Sequence, residues 1–347
     1  MSRPDLDNLA GMSTPPSAAG SPRKILLDCD PGIDDALAIV FACGHPGLEL
    51  CGVTTVAGNV GLARTTANAL SVLDFTGRPD VPVAAGSAVP LLRPHGDARH
   101  VHGESGLGGA QLPAPRARPV DVPATDLIID IVGSSPGEII LAATGPLTNI
   151  ALAVRRQPEL IRQVADFVIM GGSAGRGNVT PAAEYNIATD PEAAAIVFGA
   201  GWRVTMVGLD ATLRVRADRA VQERLAGLGR LGRELLLPAL GGYRAGQAET
   251  AQPGPGRAGG PDDPPGEGPA VHDVCALALV AEPGLFGCVP GRVEVETAGR
   301  WTTGMTVTDF RAPAQARNAL VATSVDAARF WDTVIAAWAR VPAAQTA

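Results

Sequence analysis

From Lys24 onward the chain alternates short apolar runs with stretches whose apolar positions recur every three or four residues. "KILLD" (24–28) predicts a buried strand. "DDALAIVFACG" (34–44) predicts a helix whose acidic first turn suits the positive end of the helix dipole. "LELCGVTTVAG" predicts a second strand and residues 59–77 a second helix. The pattern repeats in "EIILAAT" (138–144) with "LTNIALAVRRQ" (147–157). It repeats again in "ADFVIMGG" (165–172) with "DPEAAAIVFGA" (190–200), where Asp190 is a natural N-cap before Pro191. "RVTMVGLD" (203–210) adds a strand, "AVHDVCALALVAEP" (270–283) a buried helix, and "RVEVET" and "TTGMTVTDF" two further strands before a last helix near 325–340. Alternation of this kind predicts an α/β fold: a single domain with a mostly parallel central sheet flanked by helices, its ligands bound at the C-terminal ends of the strands.

One stretch breaks the rhythm. "GGYRAGQAETAQPGPGRAGGPDDPPGEGP" (241–269) is rich in Gly and Pro and reads as a mobile loop. Residues 1–23 lack an apolar h-region and read as a flexible leader rather than a secretory signal. The domain is therefore expected over 24–342, with a short tail at 343–347. At 347 residues and 46% hydrophobic the chain can bury a sizeable core. A net charge of −7 argues against a nucleic-acid surface, and no run is long and apolar enough to cross a bilayer. The five cysteines are scattered without CxxC spacing, which predicts reduced thiols and a cytoplasmic setting.

Chemistry concentrates in "DCDPGIDDALAI" (28–39), where Asp28, Asp30, Asp34 and Asp35 crowd the end of the first strand and the start of the next helix. Four ionised acids that close repel one another, so the loop calls for a cation. Carboxylates without neighbouring His or Cys suit hard ions, Ca²⁺ or Mg²⁺. The spacing is not that of an EF-hand, so the remaining ligands must come from distant strand ends, with Thr144, Asp210 and Asp273 as candidates. The commonplace alternative is a solvated acidic loop capping a helix. An aspartyl-phosphate phosphatase of the haloacid dehalogenase type also places D-x-D after its first strand. Such an enzyme normally adds a lysine at a later strand end, and Lys24 is the only lysine here.

"ILLDCDPGIDDALAI" resembles the N-terminal signature of the inosine–uridine preferring nucleoside hydrolases. "VTTVAGN" (53–59), "HVHGESGLG" (100–108), "TGPLTNIA" (144–151), "VIMGG" (168–172), "AEYNIATDPEAA" (183–194), "VTMVGLD" (204–210), "VHDVCALA" (271–278) and "GMTVTDFR" (304–311) follow as similar blocks, in order. The resemblance spans about 24 to 340. It implies an enzyme that hydrolyses the N-glycosidic bond of ribonucleosides to ribose and free base, with one Ca²⁺ beneath the ribose. Its ligands would be Asp30, Asp35, the carbonyl of Thr144 and Asp273, with Asp30 as general base. Asp34, Asn59, Asn178, Glu184, Asn186 and Asp273 fall at sugar-binding positions, and Met170 packs under the ring. His272 falls where a histidine assists the departing base. The resemblance further implies a homodimer or homotetramer, while charge and hydropathy lead us to expect no nucleic-acid or membrane partner.

A lone histidine beside an apolar helix, or Met170 on an apolar strand, is more often structural, and Asn178, Glu184 and Asn186 are common turn and cap residues. Asp28 reads as orienting the acidic loop, His100 and His102 as lining or folding the pocket, and "GGSAGRG" (171–177) as a flexible pocket loop. Where the family has an ordered helix over the base, this chain has 241–269, with Tyr243 and Arg244 as base-contacting candidates. Outside enzymology, a calcium-dependent ribose-binding module without turnover fits the same motifs.

Overall fold

In the computed structural model, the structure describes residues 21–250 and 268–345, with side chains of 244–250 and 344–345 excepted. Among these, nine strands form one sheet: β1 (Arg23–Cys29), β2 (Leu48–Thr55), β3 (Val83–Ala85), β4 (Ile139–Ala143), β5 (Asp166–Met170), β6 (Val204–Val207), β7 (Phe286–Val295), β8 (Thr306–Asp309) and β9 (Ala319–Val325). The order is β3-β2-β1-β4-β5-β6-β9-β7-β8. Pairing is parallel from β3 to β9 and antiparallel where β7 meets β9 and β8. The α/β fold expected from the alternation is thus present.

Both faces of the sheet are covered, which explains why its central strands read as unbroken apolar runs. Ile25, Leu27 and Cys29 of β1, with Ile140 and Ala142 of β4, point into one core shared with the Ile33–Gly44, Asp273–Ala281 and Ala327–Trp338 helices. Leu26, Leu141 and Ala143 point into a second, with the Ala124–Ser134, Thr148–Arg156 and Pro191–Phe198 helices. Phe167 and Trp202 stack in that second core with centroids 4.3 Å apart. Close approach seals the first, where Trp338 Nε1 donates to the carbonyl of Leu37 at 3.3 Å.

Strand order also fixes where a ligand can enter. The chain runs outward from β1 to β3, then returns to β4 on the other side of β1. A crevice therefore opens at the carboxyl ends of β1 and β4, the switch point where open α/β sheets bind ligands. Asp30 and Thr144 are the residues that leave these two strands.

Two expectations are corrected. Residues 241–250 are not loop: the Leu237–Thr250 helix carries the chain through them. At Gly242 the helix lies directly on backbone, where a Cβ would come within 2.6 Å of Gly108 Cα. The rest of that expected loop, 251–267, and the leader to residue 20 lie outside the described residues. The tail begins as a Pro342–Gln345 helix with Ala343 buried. "GGSAGRG" is pinned rather than flexible, because Ser173 N donates to Thr306 Oγ1 at 2.8 Å and Ala174 N to Asp210 Oδ2 at 2.8 Å.

Candidate active site

Asp30, Asp34, Asp35 and Asp273 are all buried and meet at the switch point, Asp273 from the first turn of its own buried helix. Asp35 is the most tightly held. Its Oδ1 accepts from Thr144 Oγ1 (2.8 Å) and Asp30 N (3.3 Å), its Oδ2 from Asn59 Nδ2 (3.1 Å) and Gly32 N (3.2 Å). The bond from Gly32 caps the Ile33–Gly44 helix, so one carboxylate serves both helix and site. Asp30 Oδ2 accepts from Asn59 N at 2.7 Å. Gly58 and Gly145 close over this carboxylate: a Cβ would stand 2.0 Å from Oδ2 at the first and 2.6 Å from Oδ1 at the second. Only glycine fits at either place.

Charge is under-compensated here. Burial, then the neighbouring Asp35, drives the Asp30 carboxyl well above its ordinary range, and the same two causes hold Asp34 up to about 8. Asp273 is raised by burial and then by Asp35, with which it shares a hydrogen bond. Tyr243 and the backbone N–H of His272 reach Asp34. Among the described residues, Oδ1 of Asp30 and Oδ1 of Asp34 meet no donor. Hard oxygens with unmet charge fit a hard divalent cation chemically. No three His, Cys, Asp or Glu side chains among the described residues already stand in a metal-holding arrangement.

Around this centre, Asn186 Nδ2 donates to the carbonyls of Thr144 (2.8 Å) and Met170 (3.1 Å), tying β4 to β5. Glu184 caps the Tyr185–Thr189 helix through Asn186 N and Ile187 N and also receives Gly172 N at 2.9 Å. Burial raises its carboxyl, with those backbone donors opposing. His272 Nδ1 lies 2.8 Å from Thr212 Oγ1, and burial followed by the Arg216 charge pushes its imidazole down to about 4. His102 Nδ1 accepts Ile33 N at 3.1 Å, so this histidine supports the acidic loop, and its ring lies 5.6 Å from that of Tyr243. Asn59, Met170, Glu184, Asn186 and His272 are all buried. Asn178 is not: it is exposed, and its Oδ1 accepts Tyr185 N at 3.0 Å. Asp210 is turned to the 171–177 loop instead of the acids. The side chain of Arg244 lies outside the described residues.

Beneath Asp30 lies a network that single motifs did not reveal. Asp28 Oδ1 accepts from Thr54 Oγ1 (2.6 Å) and Asn149 Nδ2 (2.8 Å). Asn149 also donates to the carbonyl of Thr55 at 3.0 Å and accepts Ser87 N at 2.9 Å. One amide thereby fastens the carboxyl ends of β1 and β2 and the chain leaving β3 to the helix that follows β4. Burial holds the Asp28 carboxyl up to about 7. The signal in sequence was a Thr and an Asn inside "VTTVAGN" and "TGPLTNIA", residue types too common to single out.

The sequence model of the inosine–uridine preferring nucleoside hydrolases matches residues 25–332. The chain is 43% identical over 323 residues to "Inosine-uridine preferring nucleoside hydrolase" of Leishmania major, covering 92% of this chain and 98% of that one. It is 43% identical over 319 residues to "Non-specific ribonucleoside hydrolase RihC" of Salmonella newport, covering 91% and 98%. Its fold superposes on a purine-preferring ribonucleoside hydrolase from Gardnerella vaginalis with a TM-score of 0.83 at 32% identity, covering 91% and 98%. Agreement along nearly the whole chain excludes the phosphatase alternative, and with the acids gathered where β1 and β4 part, the chain belongs to the inosine–uridine preferring nucleoside hydrolases, enzymes that cleave N-glycosyl bonds.

Proposed function

We propose that this enzyme performs calcium-dependent hydrolysis of ribonucleosides to ribose and free base, with Asp30 as general base. The observation that carries the reading is the meeting of Asp30, Asp34, Asp35 and Asp273, all buried, at the switch point of the sheet. Asp30, Asp35, Asp273 and the Thr144 carbonyl would hold the ion. Calcium supplies, when bound, the positive charge that keeps these acids ionised and polarises the attacking water.

The remaining work falls to the chain itself. Breaking an N-ribosidic bond builds positive charge on the sugar, with base and water on opposite faces. Asp30 takes the water's proton; Asn59 N and the two flanking glycines allow its carboxylate little freedom to turn away. Asp34, Asn59, Asn178, Glu184, Asn186 and Asp273 bind the sugar hydroxyls, and Met170 lies beneath the ring. Surplus negative charge around the sugar stabilises its cationic transition state. With its pKa near 4, His272 is neutral at pH 7. If Thr212 donates to Nδ1, Nε2 carries the proton and offers the departing base a neutral hydrogen bond. A site built to pair ribose hydroxyls rejects deoxyribose, because its polar groups would be left stranded.

A panel of purine and pyrimidine ribosides, with and without a calcium chelator, tests the reading by release of reducing sugar. Expected is ribose release that the chelator abolishes and added calcium restores. Tight ribose binding without product would make the protein a binding module, and chelator-resistant turnover would remove calcium from the reaction. Five free cysteines support a cytoplasmic setting, and family likeness supports a homodimer or homotetramer, which sedimentation would separate from a monomer. No helix among the described residues is long and apolar enough to cross a membrane.

A further inference from the structure

A second cleft, of about 430 Å³, opens on the outer face between the Arg219–Ala226 and Ala327–Trp338 helices. Arg214, Arg216, Arg224, Asp218, Asp332 and Trp331 line it. Three guanidinium groups here face two carboxylates, and their partners can be followed one by one. Arg224 pairs with Asp332 at 2.9 Å, and Arg214 Nε donates to the carbonyl of Asp210 at 3.0 Å. Asp218 caps the Arg219–Ala226 helix through Val221 N. Arg216 is the least satisfied. Its Nη1 has one long bond, to the carbonyl of Gly268 at 3.2 Å, while its buried Nε meets no acceptor among the described residues.

The Nε of Arg216 is sealed from the cleft, but the half-buried guanidinium has committed only one bond at its η-amino end, which can turn toward phosphate or carboxylate oxygens. Asp218 and Asp332 at the rim can accept from hydroxyl groups, and Trp331 adds an apolar floor. An uncharged sugar would leave the arginines unanswered. Inorganic phosphate would set its own charge beside the two acids with no hydroxylated body to bond them. A sugar carrying one phosphate uses every part.

The cleft is also joined to the site. Arg216 forms an antiparallel bridge with Ala270, flanked by Val271 N to Val215 O and Ala217 N to Pro269 O, both 2.9 Å. His272 follows immediately. We propose that this cleft binds a phosphorylated sugar and that its occupancy, by competing for the Arg216–Gly268 contact, shifts the kinetics of the reaction at His272. The second half rests on the proposed hydrolysis. Phosphorylation of one hydroxyl of the released pentose would give a ligand of this class, which would make it a product formed downstream of the reaction.

Calorimetric titration of the full chain with ribose 5-phosphate, inorganic phosphate and ribose tests binding without any nucleoside, so failure there leaves the hydrolysis reading untouched. Expected is saturable binding of ribose 5-phosphate, at least tenfold tighter than inorganic phosphate and unaffected by saturating ribose. Arg216→Gln and, separately, Arg224→Gln should each weaken it at least tenfold, Arg224→Gln with basal kcat retained. Absence of binding, equal binding in both variants, equal affinity for inorganic phosphate, or displacement by ribose would overturn the site. Saturating ribose 5-phosphate should change kcat or KM at least threefold in the wild type and not in Arg216→Gln. Unchanged kinetics in the occupied wild type would overturn the coupling.

Discussion

Gly58→Ala should disable the enzyme without unfolding it. The added Cβ would stand 2.0 Å from Asp30 Oδ2 and 2.8 Å from its Cγ, against an ordinary contact beginning at about 3.4 Å, so the carboxylate must give way by about 1.4 Å. Escape is blocked on the other side, where Gly145 packs against Oδ1. A displacement of that size also breaks the 2.7 Å bond from Asn59 N. Misplacing a reacting group by 1 Å costs on the order of 10²-fold in rate, about 2.7 kcal/mol of barrier. Overpacking itself costs stability of about 1–3 kcal/mol. Steady-state kinetics with inosine and uridine, beside thermal melts, give the comparison. Gly61→Ala is the control, since a Cβ there meets nothing within 4 Å. Should Gly58→Ala keep kcat within about threefold of wild type while melting normally, the placement of Asp30 at the reacting centre is wrong.

Asp30→Asn should lose kcat by at least about 10²-fold with the fold intact, read by kinetics and circular dichroism. Tyr243→Phe removes the hydroxyl that reaches Asp34 and should raise KM about tenfold with a smaller change in kcat. Asp190→Ala orphans Ala193 N, Leu91 N and Thr148 Oγ1, none of them a group assigned to the reaction, so urea unfolding should show a loss of about 3 kcal/mol with a much smaller effect on kcat than Asp30→Asn. Asp28 and Asp34, held up to about 7 and about 8 against an ordinary 3.8, stabilise the fold at low pH and cease to as pH rises through those values. His102 and His272, pushed down to about 3 and about 4 from 6.5, act oppositely: their contribution is full above 6.5 and is lost as pH falls. The gain in Tm on adding calcium to chelated protein should therefore widen from about pH 5 to about pH 8, and a gap that narrows would contradict the charge argument.

Much of the site was legible because acids are conspicuous. Four aspartates within eight residues, directly after an apolar strand, announce charge that needs compensation, and Asp273 belongs to the one histidine–aspartate pair in the sequence, at a helix start. The sheet was legible because its strands, buried on both faces, read as unbroken apolar runs. What stayed hidden depends on neighbours distant in sequence. Asn149 is 121 residues from Asp28, and nothing local marks it as that acid's donor. Gly58 and Gly145 look like turn glycines until the carboxylate beside them is placed. The helix through 241–250 was hidden by composition: its glycines weaken helical propensity, while the close approach of Gly242 to the Gly108 backbone joins segments more than a hundred residues apart. Asn178 carries no local mark of a site either, since accepting a backbone N–H in a turn is what Asn ordinarily does.

The Asn149 amide has one more implication. By stitching three strand termini to a fourth element, it makes the ground under the pocket a rigid plate, whereas the walls are loops and short helices. A substitution in that plate would disturb several strands together.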